Sequence, residues 1–172
     1  MSTKNGLAWV FGDEINSDVM APGIYFKEPM SVMASHCLEA VNPSFAQNVK
    51  AGDIVVAGRN FGVGSAREQA AMAFRELQVG VILAKSYARI FYRNALNFGL
   101  PALVFPEADD VQANDEISVN VISGRIENKT TAKIYNVDPI PEHLMEMIGM
   151  GGLVPYLKDQ IIRGNIKTGK QN

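Results

Sequence analysis

The stretch Asp53-Ile54-Val55-Val56-Ala57 runs into Gly58-Arg59-Asn60-Phe61-Gly62-Val63-Gly64-Ser65-Ala66-Arg67-Glu68-Gln69-Ala70. The first five residues read as a buried strand. The segment from Ala66 to Leu77 reads as a helix, with Ala70, Ala71, Phe74 and Leu77 on one face. Val79 to Ala84 is then apolar throughout, as expected of a strand covered on both faces. Strand, helix and strand with short joints make a βαβ unit, which is nearly always right-handed. The glycines between strand and helix let the backbone turn sharply and come close to a ligand. The first N–H groups of a helix have no partner within it and suit an anion.

Outward from this unit the chain divides. Leu7 to Phe11 reads as an earlier strand, and Gly12 to Asp18 as a polar turn. Val19 to Phe26, broken by Pro22 and Gly23, reads as a loop. Ser31 to Leu38 has helical spacing, and Pro43 to Val49 reads as a short helix capped by Asn42. Ser86 is placed to cap a helix over Tyr87–Phe98, with Gly99 as its stop and a strand over Leu100–Phe105. The last third changes character. Glu116–Ile122 alternates, Arg125–Asn128 and Thr131–Tyr135 follow as hairpin strands, and Pro139–Met150 and Leu153–Ile162 read as closing helices. A polar tail runs over 163–172. No repeat or linker interrupts the pattern, so the 172 residues are expected to form one domain.

Composition removes several functions. A net charge of -2 argues against nucleic acid as the main partner. No apolar run approaches the roughly 20 residues that span a bilayer, and the first residues do not resemble a signal peptide. With Cys37 alone no internal disulfide is possible, and a reducing cytoplasm is the natural setting. Cys37, His36 and His143 cannot by themselves hold a zinc ion or an iron–sulfur cluster. No metal or cofactor is therefore expected on this chain, and any metal chemistry would involve another one.

Ser65 and Arg67 are the leading candidates for chemistry. Their spacing admits two readings. One is a proton-transferring serine beside an arginine that grips a carboxylate with two parallel hydrogen bonds. The other is a plain helix cap with an arginine paired to a nearby acid. The loop is not a phosphate loop, which needs Lys and Ser/Thr after its last glycine, nor a dinucleotide fingerprint. Ser65 has no adjacent histidine to support a triad. His36 with Cys37 reads as one surface and one core residue, and His143 as an exposed residue in a helix's first turn. Arg89 and Arg93, one turn apart, fit either a partner or solvent.

Three ordered stretches bear on the choice. Gly58 to Glu68 resembles the motif Gly-x-Asn-Phe-Gly-x-Gly-Ser-Ser-Arg-Glu-His-Ala of the swivelling domain of the aconitase family and the small subunits of 3-isopropylmalate dehydratases. Gly12-Asp13-Glu14-Ile15-Asn16-Ser17-Asp18-Val19-Met20-Ala21-Pro22 is similar to that family's Gly-Asp-x-Ile-x-Thr-Asp-x-Ile-x-Pro. Ala84-Lys85-Ser86-Tyr87-Ala88-Arg89-Ile90-Phe91-Tyr92-Arg93-Asn94-Ala95 is close to its Ala-x-Ser-Phe-Ala-x-Ile-Phe-x-x-Asn.

The resemblance implies an α/β swivelling β/β/α domain, with a mixed, mainly parallel sheet or open barrel flanked by helices. It implies a hydro-lyase subunit that isomerises malate-type acids by dehydration and rehydration, as in leucine biosynthesis. A separate large subunit would carry a [4Fe–4S] cluster acting as Lewis acid on the leaving hydroxyl. Here Ser65 would take the proton from carbon and Arg67 would bind a substrate carboxylate. Gly64, Ala66, Ile24, Tyr25 and Lys27 fall at the family's substrate-binding positions.

Departures from the motif bear on substrate choice. Ala66 replaces a serine, Gln69 a histidine and Ile24 an arginine, while Val63 stands where many small subunits have cysteine. Asp13 and Asp18 read as loop-shaping residues at the mouth of the site. Alternatives are a related dehydratase acting on dimethylmalate, methylmalate (citraconate) or homocitrate, and a non-catalytic carboxylate-binding regulatory module. The sequence leaves self-association open.

Overall fold

The computed structural model describes residues 3–65 and 67–166. The strands are β1 (Thr3–Val10), β2 (Ile54–Ala57), β3 (Val81–Ala84), β4 (Ala102–Val104), β5 (Glu116–Asn120), β6 (Arg125–Asn128) and β7 (Lys133–Asn136). They form one sheet in the order β4-β3-β2-β1-β5-β6-β7. The expected mixed sheet is present, and its pairings divide evenly. β1–β2, β2–β3 and β3–β4 are parallel, whereas β1–β5, β5–β6 and β6–β7 are antiparallel. β1 belongs to both halves, with Thr3–Leu7 along β5 and Ala8–Val10 along β2. Phe105, just past one edge strand, packs edge-on against Tyr135 of the other edge strand, ring centroids 5.1 Å apart. The sheet therefore curls into a half-barrel.

The unbroken apolar runs of β2 and β3 follow from two cores. Val55, Ala57, Ile82 and Ala84 point into one, which also holds Phe45, Phe61, Phe74 and Phe91. Ile54, Val56, Val81 and Leu83 point into the other, with Phe105, Ile117, Val119 and Ile126. Each run serves both faces, so no polar position survives in it. The turn into β2 is fixed by buried Asp53. Its carboxylate accepts from Leu7 N at 3.0 Å, Trp9 Nε1 at 3.0 Å and Lys50 N at 2.9 Å.

The helices are α1 (Ser17–Met20), α2 (Met30–Ser35), α3 (Phe45–Asn48), α4 (Glu68–Glu76), α5 (Arg89–Asn97), α6 (Glu142–Gly149) and α7 (Leu153–Ile162). α4 and α5 are the crossovers between parallel strands. Several boundaries differ from the sequence expectation. The supposed loop over 19–26 holds the end of α1 and a 3₁₀ turn, Gly23–Tyr25. α3 begins after Ser44, whose N–H is held by Asn42. α4 begins at Glu68 with Arg67 as its N-cap residue, and α5 begins at Arg89 with Ala88 there, so neither Ser65 nor Ser86 caps a helix. α6 starts at Glu142, with Pro141 preceding it. Of the polar tail, Arg163 pairs with Asp159 at 2.7 Å, and residues 167–172 lie outside the described residues.

Candidate active site

The glycine loop lies between the two other stretches singled out in the sequence. On one side Gly12–Ser17 runs beside it. Gly58 N donates to Gly12 O (3.1 Å), Glu14 N to Arg59 O (2.7 Å), Gly62 N to Ile15 O (2.9 Å) and Ser17 N to Val63 O (2.7 Å). On the other side Phe61 N donates to Ser86 O (3.0 Å), Ala88 N to Phe61 O (2.9 Å) and Asn60 N to Ser86 Oγ (2.8 Å). The three motifs are thus one built object. Asp13 ties its edge: Oδ1 accepts from Arg59 N at 2.6 Å, and Oδ2 from Arg59 Nε and Nη2 at 3.1 and 2.9 Å. The Arg59 backbone N–H first, and its guanidinium second, hold the Asp13 carboxyl below the usual carboxylate range.

Two glycines are required by the backbone. Gly62 has φ +83°, and a Cβ there would lie 2.2 Å from Phe91 Cγ in the aromatic core. Gly64 has φ +115°, and its Cβ would lie 2.4 Å from Asn16 Oδ1. Close approach at Gly64 has a purpose. Asn16 caps α1 by accepting from Asp18 N at 2.7 Å, and so sets where the Asp18 carboxylate stands.

Asp18 joins the two candidate residues. Ser65 Oγ donates to Asp18 Oδ1 at 2.5 Å, and Arg67 Nε lies 3.6 Å from the same oxygen. The Arg67 guanidinium rests on the Phe26 ring, 4.3 Å from its centroid. A Cβ on Gly23 would come within 3.2 Å of Arg67 Nη1. The arginine is thereby held at its root by Asp18 and along its plane by Phe26, with a third of its side chain open to solvent. Ser65 and Gly64 are exposed. A hydroxyl, a carboxylate and a guanidinium converge on open surface, an arrangement that can bind an acid and handle a proton.

The other sequence candidates fall in different places. Ala66 lies outside the described residues. Ile24 is 81% exposed, next to the Arg67 end of the site. Lys27 is exposed on the following turn. Tyr25 turns to His36, on which it stacks with centroids 3.8 Å apart. Cys37 is fully buried and burial pushes its thiol pKa up, while His143, Arg89 and Arg93 are exposed. Gln69 and Val63 are half-buried. Asp18 has a larger part than the loop-shaping one read for it. Its signal is a carboxylate inside the Gly12–Pro22 stretch, but nothing in the spacing puts it beside Ser65, 47 residues away. Phe26 falls in the stretch read as a loop, and no sequence pattern marks an aromatic ring that will lie under an arginine.

Residues 20–108 match the family model described as the aconitase C-terminal domain. The 3-isopropylmalate dehydratase small subunit 1 of Thermotoga maritima is 46% identical over 155 residues, 89% of this chain and 93% of that protein. The 3-isopropylmalate dehydratase small subunit of Thermodesulfovibrio yellowstonii is 44% identical over 165 residues, 94% of this chain and 98% of that protein. Among solved structures, 3-isopropylmalate dehydratase (leuD) from Methanocaldococcus jannaschii superposes with a TM-score of 0.89 at 35% identity, covering 95% of this chain and 98% of that one. With its three motifs assembled around one loop and its relatives matched over nearly their whole length, the chain belongs to the 3-isopropylmalate dehydratase small subunits of the aconitase family.

Proposed function

We propose that this chain is the small subunit of a heteromeric hydro-lyase that interconverts 2- and 3-isopropylmalate by dehydration and rehydration, a step of leucine biosynthesis in the cytoplasm. The observation that carries the reading is the convergence of Ser65, Asp18 and Arg67 at an exposed surface. Arg67 offers a guanidinium whose plane is already fixed by Phe26, so little side-chain freedom is lost when a substrate carboxylate docks. Ser65 is the group that takes the proton from carbon. A serine is a weak base in water, and the hydrogen bond to Asp18 gives its own proton a defined acceptor. The serine's own proton passes to Asp18, the proton that leaves carbon ends on the Ser65 oxygen, and the proton held by Asp18 goes to the departing hydroxyl, which leaves as water; re-addition reverses each transfer. Gly64 and Ala66 flank the serine, and Ile24, Tyr25 and Lys27 belong to the wall that faces the substrate's side chain.

A [4Fe–4S] cluster does not fit this chain's own residues. Cys37 is buried, and among the described residues no three His, Cys, Asp or Glu side chains converge to hold a metal. We place the cluster on the large subunit. The open position of Ser65 supports a site completed by that partner, and no helix among the described residues is long and apolar enough to cross a membrane. The test is reconstitution with a cluster-bearing large subunit. Ser65→Ala and Arg67→Ala are each expected to lower kcat/KM by about 10³-fold or more. Full activity in both would overturn these roles. A panel of isopropyl-, dimethyl- and methylmalate and homocitrate identifies the substrate. Carboxylate binding with no turnover in any pair would favour a regulatory module instead.

A further inference from the structure

Residues 22–29 cross the surface beside Arg67 with little to hold them. Gly23, Ile24, Phe26, Lys27, Glu28 and Pro29 are all exposed. The 3₁₀ turn contributes only short-range hydrogen bonds, Tyr25 N to Pro22 O (3.1 Å), Phe26 N to Gly23 O (3.3 Å) and Glu28 N to Tyr25 O (3.0 Å). Such a turn is weak on its own. Two side chains anchor it. Phe26 lies against the Arg67 guanidinium. Tyr25 stacks on His36, with ring planes 11° apart.

His36 is in turn fixed. Its Nδ1 lies 2.6 Å from Glu39 Oε2, and an ionised carboxylate can only accept, so Nδ1 carries a hydrogen. That bond sets the plane of the ring. The backbone of His36 is the C-cap of α2, and Ala34, Cys37 and Leu38 around it are almost wholly buried. The ring is therefore an outpost of the core, and Tyr25 leans on it. Just ahead of the two anchored residues, Ile24 projects into the open, 81% exposed.

We propose that Glu39, His36 and Tyr25 form a brace that sets the position of Ile24 and Phe26 beside the Arg67 carboxylate site, and so tunes which substrate side chain is accepted. His36 is a positioning residue and touches no substrate. The selectivity clause rests on the reading of Arg67 given above, whereas the brace itself belongs to the free chain.

Two variants and two readouts test it. His36→Ala removes the ring, and His36→Phe keeps a stacking face without the Glu39 bond. In the free chain, His36→Ala is expected to speed hydrogen exchange at the Tyr25, Phe26 and Glu28 amides by about fivefold, the worth of one aromatic pair, with β2 and β3 unchanged. In the reconstituted pair it is expected to lower the preference for isopropylmalate over methylmalate by about the same factor, through KM rather than kcat. His36→Phe should restore most of both. Unchanged exchange in His36→Ala, or no rescue by phenylalanine, overturns the brace, and complete rescue removes Glu39 from it. Faster exchange with unchanged preference overturns its part in selectivity. A wild-type pair that turns over neither acid refutes the reading of Arg67 and the selectivity clause with it, while exchange in the free chain still decides the brace.

Discussion

Replacing Gly64 by alanine tests how the loop, the α1 cap and the reactive hydroxyl depend on one another. The backbone there has φ +115°, a region that a residue with a Cβ rarely adopts. That strain costs about 1–2 kcal/mol. The new Cβ would also sit 2.4 Å from Asn16 Oδ1 and 2.8 Å from Asn16 Cγ, against ordinary contacts of about 3.5–4.0 Å. Asn16 must move, and its hydrogen bond to Asp18 N is lost, for about another 1 kcal/mol. The sum of about 2–3 kcal/mol lowers Tm by roughly 4–12 °C in a domain of this size. Catalysis is hit harder, because Asp18 and Ser65 are displaced together. An ångström of misplacement is expected to cost about 100-fold in kcat of the reconstituted pair. The assay is a thermal melt of the free chain, followed by steady-state kinetics with the large subunit. Gly149→Ala is the control, since a Cβ there meets nothing within 4 Å and it lies at the end of α6. A Gly64→Ala chain that melts with the wild type and turns over within twofold of it, on the order of experimental error, would refute the coupling.

Other consequences are open to measurement. Asp18→Asn keeps the shape but removes the charge that faces Ser65 and Arg67. It should lower kcat by about 10²-fold while the free chain stays folded, and an unchanged kcat would remove Asp18 from the proton path. Cys37 is buried with its thiol pKa raised, so a thiol reagent should fail to label the native chain and label it fully in denaturant; rapid native labelling would contradict the packing. Asp13 has its folded pKa lowered below the ordinary 3.8, so its small contribution to stability is present above that value and fades as pH falls through the folded pKa. Carboxyl-carbon NMR should show this midpoint, and Arg59→Ala should restore it only in part, because the Arg59 backbone N–H, the larger cause, remains; full restoration would show that the guanidinium dominates.

The parts of the fold legible in the sequence are those set by burial and by local turns. β2 and β3 were readable because each is apolar at every position, which a strand between two cores must be. The antiparallel half was readable from its alternation and hairpin turns. Helix starts were misplaced for a shared reason. Ser65 and Ser86 have the composition of caps, yet each spends its hydroxyl on a distant partner. Ser65 reaches Asp18, 47 residues away, and Ser86 receives Asn60 N, 26 residues away. Local capping propensity cannot show when a long-range hydrogen bond wins. The same holds for the site. Ser65 and Arg67 stand two residues apart and could be named together, whereas Asp18 and Phe26 meet them only through the folding of the chain.

The double pairing of β1 has a consequence for synthesis on the ribosome. Its second half finds β2 about as soon as the chain reaches Val56, but Thr3–Leu7 must wait for Glu116–Asn120. Until then the parallel half can assemble while the N-terminal residues display a row of free N–H and C=O groups, a template for neighbouring nascent chains. A chain cut after Phe105 keeps that edge permanently open. It is expected to sediment as larger species than the full-length protein at equal concentration, and equal sedimentation would show that the edge is protected in another way.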